Sequence, residues 1–419
     1  MDFEPSARSE QWRRKLQSFF DSEVLPRHRA WLEHTGKREA PPFMGELQQK
    51  ACTEGLWNLG LPELADDEPG TRLSNLEYAP SAEIMGRLFW ASEVFNCQAP
   101  DVPNMIALQN CATPEQKQRW LRPLLEAGTR SAFGMTEPDV ASSDATNIAT
   151  TFRRDGDDYV ISGRKWFITG AAHPRCSFLI VMGVTDAGAD RTSRHSCLIV
   201  PMDTPGVRLV RPLRWMGCED HTAPIGELAF DNVRVARENL LGREGEGFKV
   251  AQVRLGPARI HHCMRSIGLC ELLIELMMVR AAERSAFGRT VIQYDTVQRW
   301  IAEARVELEQ ARLLAYRCAW RLDQSGHHGA SSSTKNWRDV SLLKVAVPAM
   351  LQKIADRAMQ VFGAMGGSDD TPIHQALAWG RLLRIGDGPD EVHLRQIFRM
   401  ETVPPWSIAD SPYLAAHPS

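Results

Sequence analysis

The sequence has no strong charge of either sign. It contains 49 Lys and Arg residues against 52 Asp and Glu residues, which gives a formal charge of −3 and an isoelectric point near 6.5. A chain with so little net charge has no long-range field that would gather nucleic acid or an anionic membrane surface. We therefore predict neither of these as a partner.

Disulfide, leader and membrane signals are also missing. The nine cysteines form no CxxC pair, and an odd number of cysteines without a signal peptide is typical of reduced thiols. The first residues, Met1 to Pro5, resemble neither a signal peptide nor a transit sequence, and no apolar run approaches the length needed to cross a membrane. These absences predict a soluble, cytoplasmic protein.

The sequence does contain enough apolar residues for a large core, since 43% of its 419 residues are hydrophobic. Helical periodicity up to about residue 130 gives way to short alternating segments, and it returns after the Gly-rich stretch 242–247. The pattern predicts an α+β protein with a helical domain over 1–130, a β domain over 131–245 and a helical domain over 246–419. Strands are predicted near 159–161, 178–182, 197–200, 207–210 and 226–230, and helices over 248–282, 295–324, 340–363 and from Pro389 onwards.

Two polar segments carry the chemistry that a flavin ring requires. Residues Phe133 to Pro138 read Phe-Gly-Met-Thr-Glu-Pro, and a strand-like segment ends in Lys165 to Gly170, which reads Lys-Trp-Phe-Ile-Thr-Gly. A reduced isoalloxazine needs donors near N1 and N5, backbone groups at its pyrimidine edge and an apolar wall. A Thr-containing loop that faces an aromatic-Ile-Thr strand end can supply all of these, so the sequence predicts a flavoenzyme.

Three further motifs lie in the C-terminal helical part: Arg-Ser-Ala-Phe-Gly-Arg at 284–289, Gln-Val-Phe-Gly at 360–363 and Gly-Asp-Gly at 386–388. Together with the two flavin segments, they make the sequence resemble the acyl-CoA dehydrogenases over nearly its whole length. The segments 96–101 and 139–148 are similar to the branch called acyl-CoA dehydrogenase family members ten and eleven, where this domain is often fused to a kinase-like domain. The resemblance implies a stand-alone dehydrogenase domain with N-terminal helices, a middle β-barrel-like domain and a C-terminal four-helix bundle.

The resemblance also implies bound FAD, shared across an interface of a homodimer or homotetramer. A guanidinium such as that of Arg284 suits the pyrophosphate of a neighbouring subunit's FAD because it pairs with phosphate in a fork geometry. Ser142 and Ser143 would hold part of the CoA or of the flavin phosphates, and the sequence leaves open which serine has which role. The implied cofactor residues are Phe133, Met135, Thr136, Ser142, Phe167, Ile168, Thr169, Arg284, Phe287, Gln360, Gly363, Pro389 and Glu391, and the implied substrate residues are Ser142, Ser143, Arg259 and Gly388.

Dehydrogenation of an acyl thioester needs a base for the α-proton. In the resemblance, Asp387 occupies the position of the family's catalytic Glu, and the N–H of Gly388 would polarise the thioester carbonyl. Arg259 would lie near the reacting centre, where it could orient the base or bind an oxygenated acyl chain. The same segment is also a good helix start with Pro389 in the first turn, so a purely structural role for Asp387 stays open.

The adjacent histidines His261 and His262 are residue types that bind metal ions, but their spacing argues against a metal site. Neighbouring residues on a helix do not face one direction, and the sequence offers no third ligand near them. We predict no metal site.

These observations support three hypotheses about function. The first is FAD-dependent dehydrogenation of an acyl-CoA to a 2-enoyl-CoA, with the β-hydride passing to flavin N5 and an electron-transfer flavoprotein as a candidate acceptor of the electrons. The second, suggested by the branch, is flavin-dependent elimination or isomerisation of a 4-hydroxy- or 4-phosphoacyl-CoA, with which Asp387 and Arg259 are compatible. The third is a catalytically silent flavin-bearing scaffold, which an Asp in place of Glu would favour.

Overall fold

The computed structural model describes residues 5–34, 41–218, 222–325, 334–405, 407, 408, 411 and 413. Helices come first and last along the chain, with a set of strands between them. The helices are α1 (Ala7–Phe19), α2 (His28–His34), α3 (Met44–Thr53), α4 (Asn75–Gly86), α5 (Ala91–Val94), α6 (Asp101–Cys111), α7 (Pro114–Gln116), α8 (Arg122–Leu125), α9 (Gly247–Glu283), α10 (Asp295–Gln324), α11 (Thr334–Phe362), α12 (Ile373–Leu383) and α13 (Asp390–Arg399). The strands are β1 (Arg130–Gly134), β2 (Thr151–Asp155), β3 (Asp158–Ile168), β4 (Cys176–Val184), β5 (His195–Pro201), β6 (Val207–Leu213), β7 (Ile225–Ala236), β8 (Leu240–Leu241), β9 (Ser285–Ala286) and β10 (Arg289–Thr290).

The strands β1 to β8 form one eight-stranded sheet whose hydrogen-bonded path runs β6-β7-β3-β2-β4-β5-β8. The pairs β2–β3, β3–β7, β6–β7 and β4–β5 are antiparallel, whereas β1 joins β4 in parallel and places the end of β1 beside the middle of β4. β4 is buried along nearly its whole length because apolar residues pack on both of its faces. The parallel pairing of β1 fixes where the loop after Gly134 starts.

The long helix α9 runs through the centre of the helical part. It packs against α4 and α6 of the N-terminal region and against α10, α11 and α12 of the C-terminal region. Its side chains Ile260, Met264, Ile267 and Leu273 belong to one apolar core that also includes residues of α1, α4, α10 and α11. A single core therefore joins the two helical ends of the chain.

α4 and α9 approach so closely that a glycine is required at their contact. A Cβ atom on Gly268 would lie 1.7 Å from the carbonyl oxygen of Glu83. The obstacle is backbone, which cannot rotate away, so the two helices would have to separate.

Gly268→Ala is accordingly expected to lower the free energy of unfolding by about 3 kcal/mol, because the added methyl group overpacks a rigid helix contact. Thermal denaturation followed by circular dichroism measures this loss. Gly45→Ala in α3 is the control, since no described atom lies within 4 Å of its Cβ position and alanine favours a helix. A Gly268→Ala protein as stable as Gly45→Ala would contradict the close contact.

The predicted order of helices, strands and helices is confirmed, as are the strands inside β3 to β7 and the helices α9, α10, α11 and α13. The helices α6 and α12 were not predicted. The boundaries of the three domains stay a prediction. In the part of the chain that the structure describes, none of the helices combines the length and the apolar character needed to cross a membrane.

Candidate active site

A tight turn between α12 and α13 carries the predicted base. Asp387 has φ +56° and Gly388 has φ +101°, so two consecutive residues adopt left-handed backbone conformations. A Cβ atom on Gly388 would lie 2.9 Å from Nε2 of His393 and 3.6 Å from a terminal nitrogen of Arg259. Glycine is needed at residue 388 both for its φ and for the closeness of these side chains.

A buried lysine on α11 binds the backbone of this turn. The Nζ of Lys344 donates to the carbonyl oxygens of Leu383 and Gly386, the latter at 2.8 Å, and lies 3.4 Å from that of Gly388. These carbonyls would otherwise be left without intrahelical partners at the C-terminal end of α12. Lys344 therefore fixes the backbone on both sides of Asp387.

The carbonyl of Asp387 is held from two further elements. Arg259 on α9 donates to it through Nε at 2.8 Å, and Nε2 of His393 on α13 lies 3.4 Å away. His393 is itself positioned by Ser341 of α11, whose hydroxyl lies 3.2 Å from its Nδ1. The backbone of the predicted base is thus tied to α9, α11 and α13.

The segment is also a helix start, as the second interpretation of the sequence expected. α13 begins at Asp390, with Pro389 as its N-cap residue and the acidic Asp390 and Glu391 in its first turn. Asp390 is buried and pairs with Arg384, while Glu391 is exposed on the first turn. The carboxylate of Asp387 faces α9 instead of the N-terminus of α13.

Cationic side chains surround the Asp387 carboxylate. We call the space that α9, Lys344 of α11 and the turn 386–388 form around it the cleft. The Asp387 side chain is 24% exposed, and Oδ2 lies 3.6 Å from Nε2 of His262. Burial by itself would raise the pKa of Asp387, but His262, Arg254, Lys344 and Arg259 together lower it below its usual value. The carboxylate is therefore ionised at neutral pH, as a base must be before it accepts a proton.

Arg254 connects this cleft with the first flavin segment. It lies on α9, half-buried, and its Nε donates to Oδ1 of Asn104 in α6 at 2.7 Å. Its guanidinium carbon sits 4.6 Å from the centre of the Phe133 ring, in a cation–π contact. Burial lowers the pKa of Arg254 to about 10, so that it stays charged at neutral pH, and the nearby Asp387 favours that charge.

A buried ion pair shapes the loop that follows β1. Lys165 of β3 is fully buried, and its Nζ donates to Oε1 of Glu137 at 2.8 Å, to the carbonyl of Met135 at 2.9 Å and to that of Met182 at 2.7 Å. Glu137 in turn accepts the N–H of Thr150 at 2.9 Å. All three donors of the ammonium group are used, so the loop is pinned to β3 and β4.

The two flavin segments lie side by side. The N–H of Trp166 donates to the carbonyl of Thr136 at 3.0 Å, which joins the loop directly to the end of β3. Phe167 has φ +50° and is 38% exposed, whereas Ile168 is buried and Thr169 half-buried. A half-exposed aromatic ring next to a pinned Thr-containing loop provides the wall and the polar edge that a flavin ring needs, so these residues fit FAD.

The two serines of the loop differ in their surroundings. Oγ of Ser142 accepts the N–H of Glu137 at 3.0 Å and helps to close the loop, while Ser143 is exposed. Their roles towards CoA and FAD stay a prediction.

The remaining cofactor residues lie on the surface at the far ends of two helices. Arg284 is the C-cap residue of α9, and Phe287 is 100% exposed at the tip of the hairpin of β9 and β10 that follows. Gln360 and Gly363 are exposed at the end of α11. The guanidinium carbon of Arg280 lies 5.4 Å from the Phe362 ring centre, so the two helix ends contact each other.

Three family models match successive parts of the chain. The acyl-CoA dehydrogenase N-terminal, middle and C-terminal domain models match residues 6–127, 132–233 and 245–401. This chain belongs to the acyl-CoA dehydrogenase family. The predicted α+β fold of that family and the assignment to an oxidoreductase family are thereby confirmed.

The acyl-CoA dehydrogenase relatives include the predicted branch. The chain is 47% identical to FadE2 of Mycobacterium tuberculosis over 96% of this chain and 97% of FadE2. It is 46% identical to acyl-CoA dehydrogenase family member 11 of Gallus gallus and to member 10 of Mus musculus over 92% of this chain in both cases. The chain spans 49% of the length of member 11 and 36% of that of member 10.

Solved structures show the same acyl-CoA dehydrogenase fold. A Mycobacterium abscessus protein assigned to the family is 46% identical and superposes with a TM-score of 0.90 over 95% of this chain and 98% of its own. Butyryl-CoA dehydrogenase of Megasphaera elsdenii superposes with a TM-score of 0.79 over 95% of this chain and 99% of its own. At 24% identity, the second structure shows the likeness of fold alone.

Sequence reasoning placed Asp387, Arg259 and Gly388 together, and the structure shows them in contact. It missed the part that Arg254 and His262 take in the same site. Both lie on α9 eight residues apart, a spacing that puts two helical residues on one face. Basic and imidazole side chains at that spacing, on a helix whose residues 255–264 are all buried in the structure, were a signal that could have identified them.

Proposed function

We propose that this chain is an FAD-dependent acyl-CoA dehydrogenase that converts an acyl-CoA to a 2-enoyl-CoA, with Asp387 as the base for the α-proton. The observation that supports it most is an ionised carboxylate held on a rigid turn and surrounded by cationic side chains. Asp has one methylene less than Glu, and the backbone of Asp387 lies within hydrogen-bonding distance of Arg259 on α9. This arrangement argues against a catalytically silent scaffold.

Each residue of the cleft has a distinct task in this reaction. Asp387 takes the α-proton onto a carboxylate oxygen, and the N–H of Gly388 donates to the thioester carbonyl as negative charge develops there. Arg254 and Arg259 favour that developing charge through the low-dielectric cleft. When bound, FAD supplies the acceptor for the β-hydride.

FAD would be held by the two flavin segments of one copy of the chain and by the exposed residues at the ends of α9 and α11 of another copy. Phe133, Met135, Thr136 and the strand end at Phe167 to Thr169 would surround the isoalloxazine. Arg284, Phe287, Gln360 and Gly363 would reach the pyrophosphate and adenine of a neighbouring subunit. The full exposure of Phe287, a large apolar ring, supports a partner at this position, and therefore a homodimer or homotetramer.

The charge of the cleft favours a second candidate. Arg254 and Arg259 bring two guanidinium groups close to the Asp387 carboxylate, and a plain alkyl chain would use neither. A 4-hydroxy- or 4-phosphoacyl-CoA would use this excess, and the chain would then carry out elimination or isomerisation. This candidate concerns the substrate and leaves the base unchanged.

Anaerobic mixing of the FAD-loaded protein with saturated acyl-CoA thioesters tests the proposal. We expect the visible flavin absorbance to fall with a saturated chain, because removal of the α-proton and β-hydride leaves the electrons on the cofactor. A parallel experiment with 4-hydroxy- and 4-phosphoacyl-CoA follows product formation by mass spectrometry. Conversion of only these 4-substituted thioesters, with no fall in absorbance for saturated ones, would favour the second candidate.

A further inference from the structure

His262 is the side chain nearest to the Asp387 carboxylate from the opposite wall of the cleft. Its Nε2 lies 3.6 Å from Oδ2 of Asp387, about half an ångström beyond an ordinary hydrogen bond. The imidazole is buried and its ring meets that of Trp379 edge-on, with centroids 5.6 Å apart. Packing against an aromatic ring limits how far the imidazole can turn.

The other ring nitrogen of His262 identifies its tautomer. A terminal nitrogen of Arg265 lies 3.1 Å from Nδ1, and the other terminal nitrogen donates to the carbonyl of Cys97 at 2.8 Å. A guanidinium can only donate, so Nδ1 must accept and carry no proton. The neutral imidazole then carries its proton on Nε2, which is the nitrogen that faces Asp387.

His262 stays neutral in this environment. Burial, and after it the positive charge of Arg265, lower the pKa of His262 to about 3. The other ionisable groups that interact with His262 and Asp387 come from three helices. They are Arg254, Arg259 and Arg265 on α9, Lys344 on α11, and His393 on α13.

We infer that His262 is a positioning residue for Asp387. Arg265, which donates to the Cys97 carbonyl, fixes the ring so that the Nε2–H of His262 faces Oδ2 of Asp387 across 3.6 Å, and this dipole orients the carboxylate and stabilises its ionised form. The inference rests on the proposed function, since it assumes that Asp387 is the base. A neutral imidazole does not give up its Nε2 proton to a carboxylate, so His262 can stabilise the charge of Asp387 without neutralising it.

The direct test compares His262→Phe with His262→Gln, which retains an amide donor near the position of Nε2. A donor to a carboxylate favours its charged form, so its loss raises the pKa of Asp387 and moves the acidic fall in kcat/KM to higher pH. We expect His262→Phe to lose about tenfold more kcat/KM at acidic than at alkaline pH, and His262→Gln to follow the wild-type profile. An unchanged profile in His262→Phe overturns the inference.

His261→Phe is the matched control. His261 is buried in the same helix, but its ring packs against Tyr78 with centroids 4.9 Å apart and not against Asp387. We expect its pH profile to keep the wild-type shape. An acidic shift in His261→Phe equal to that in His262→Phe would show a general effect of helix packing and would overturn the inference.

A second measurement needs neither turnover nor a variant at His262 that folds. Magnetic resonance of wild-type protein, with isotope-labelled ring nitrogens in its histidines, reports which nitrogen carries the proton. We expect a buried histidine with a protonated Nε2 and an unprotonated Nδ1, whose signal changes in Arg265→Met. A proton on Nδ1 of His262 overturns the inference.

Asp387→Asn distinguishes a failure of the proposed base from a failure of the role inferred for His262. If Asp387→Asn is inactive and His262→Phe has the wild-type profile, the inference about His262 fails and the base assignment stands. If Asp387→Asn is active, the proposed base fails and the inference fails with it.

Discussion

Asp387→Asn is expected to slow the dehydrogenation of a saturated acyl-CoA by about 10²- to 10⁴-fold, the range typical for loss of a general base. The substitution preserves size and removes the charge that accepts the proton. The backbone contacts of residue 387 with Arg259 and His393 use its carbonyl, so the turn is retained. Stopped-flow absorbance of the FAD-loaded variant under anaerobic conditions measures the change.

Asp369→Asn provides the control for this experiment. Its carboxylate is 99% exposed and lies outside the cleft, so the rate is expected to stay at the wild-type value. Asp387→Glu keeps the carboxylate and adds one methylene, and partial activity is expected from it. An Asp387→Asn enzyme that binds FAD and reacts at the wild-type rate would exclude Asp387 as the base.

Lys165→Met is expected to lower the free energy of unfolding by about 3–5 kcal/mol and to reduce the amount of FAD retained on purification. It leaves Glu137 buried without its cation, and breaking one side of a buried pair is costly. Burial lowers the pKa of Lys165 to about 8, yet the lysine is still largely charged at neutral pH. Thermal denaturation and the flavin-to-protein absorbance ratio measure the two effects.

The double variant Lys165→Met, Glu137→Gln should recover part of the stability, since it removes the uncompensated charge as well. Lys249→Met is the surface control, because Lys249 is 65% exposed and its pairing with Glu246 contributes little. A Lys165→Met protein as stable as Lys249→Met would show that the buried pair does not support the loop.

Long amphipathic helices and alternating strands could be predicted because their hydrophobic period is read directly from the residues. α12 was missed because the glycines at 366 and 367 and Pro372 before it suggest a loop, and Gly380 interrupts its pattern. In the structure Gly380 is required by close packing, since a Cβ there would lie 3.0 Å from the backbone nitrogen of Gln352. Tertiary contact, not local preference, decides this helix.

The residues of the candidate site could likewise be predicted only in part, because some of their roles depend on tertiary contacts. Motif resemblance could identify Asp387 and Arg259, but the role of Lys344 depends on which carbonyls the turn of 383–388 presents to α11. A lone lysine inside the apolar run Leu342, Leu343, Val345 was the signal in the sequence. A sequence alone does not show whether such a lysine reaches solvent or holds a buried turn.

Arg254 contacts Asn104 of the N-terminal helices, stacks on Phe133 of the sheet and lies in the field of Asp387 near the C-terminal end of the sequence. No contiguous stretch of the chain therefore contains the complete cleft. A partly folded form with an intact sheet could still recognise a flavin ring, but it would lack a positioned base. Removal of the α-proton therefore requires that the sheet and both helical ends of the chain have folded together.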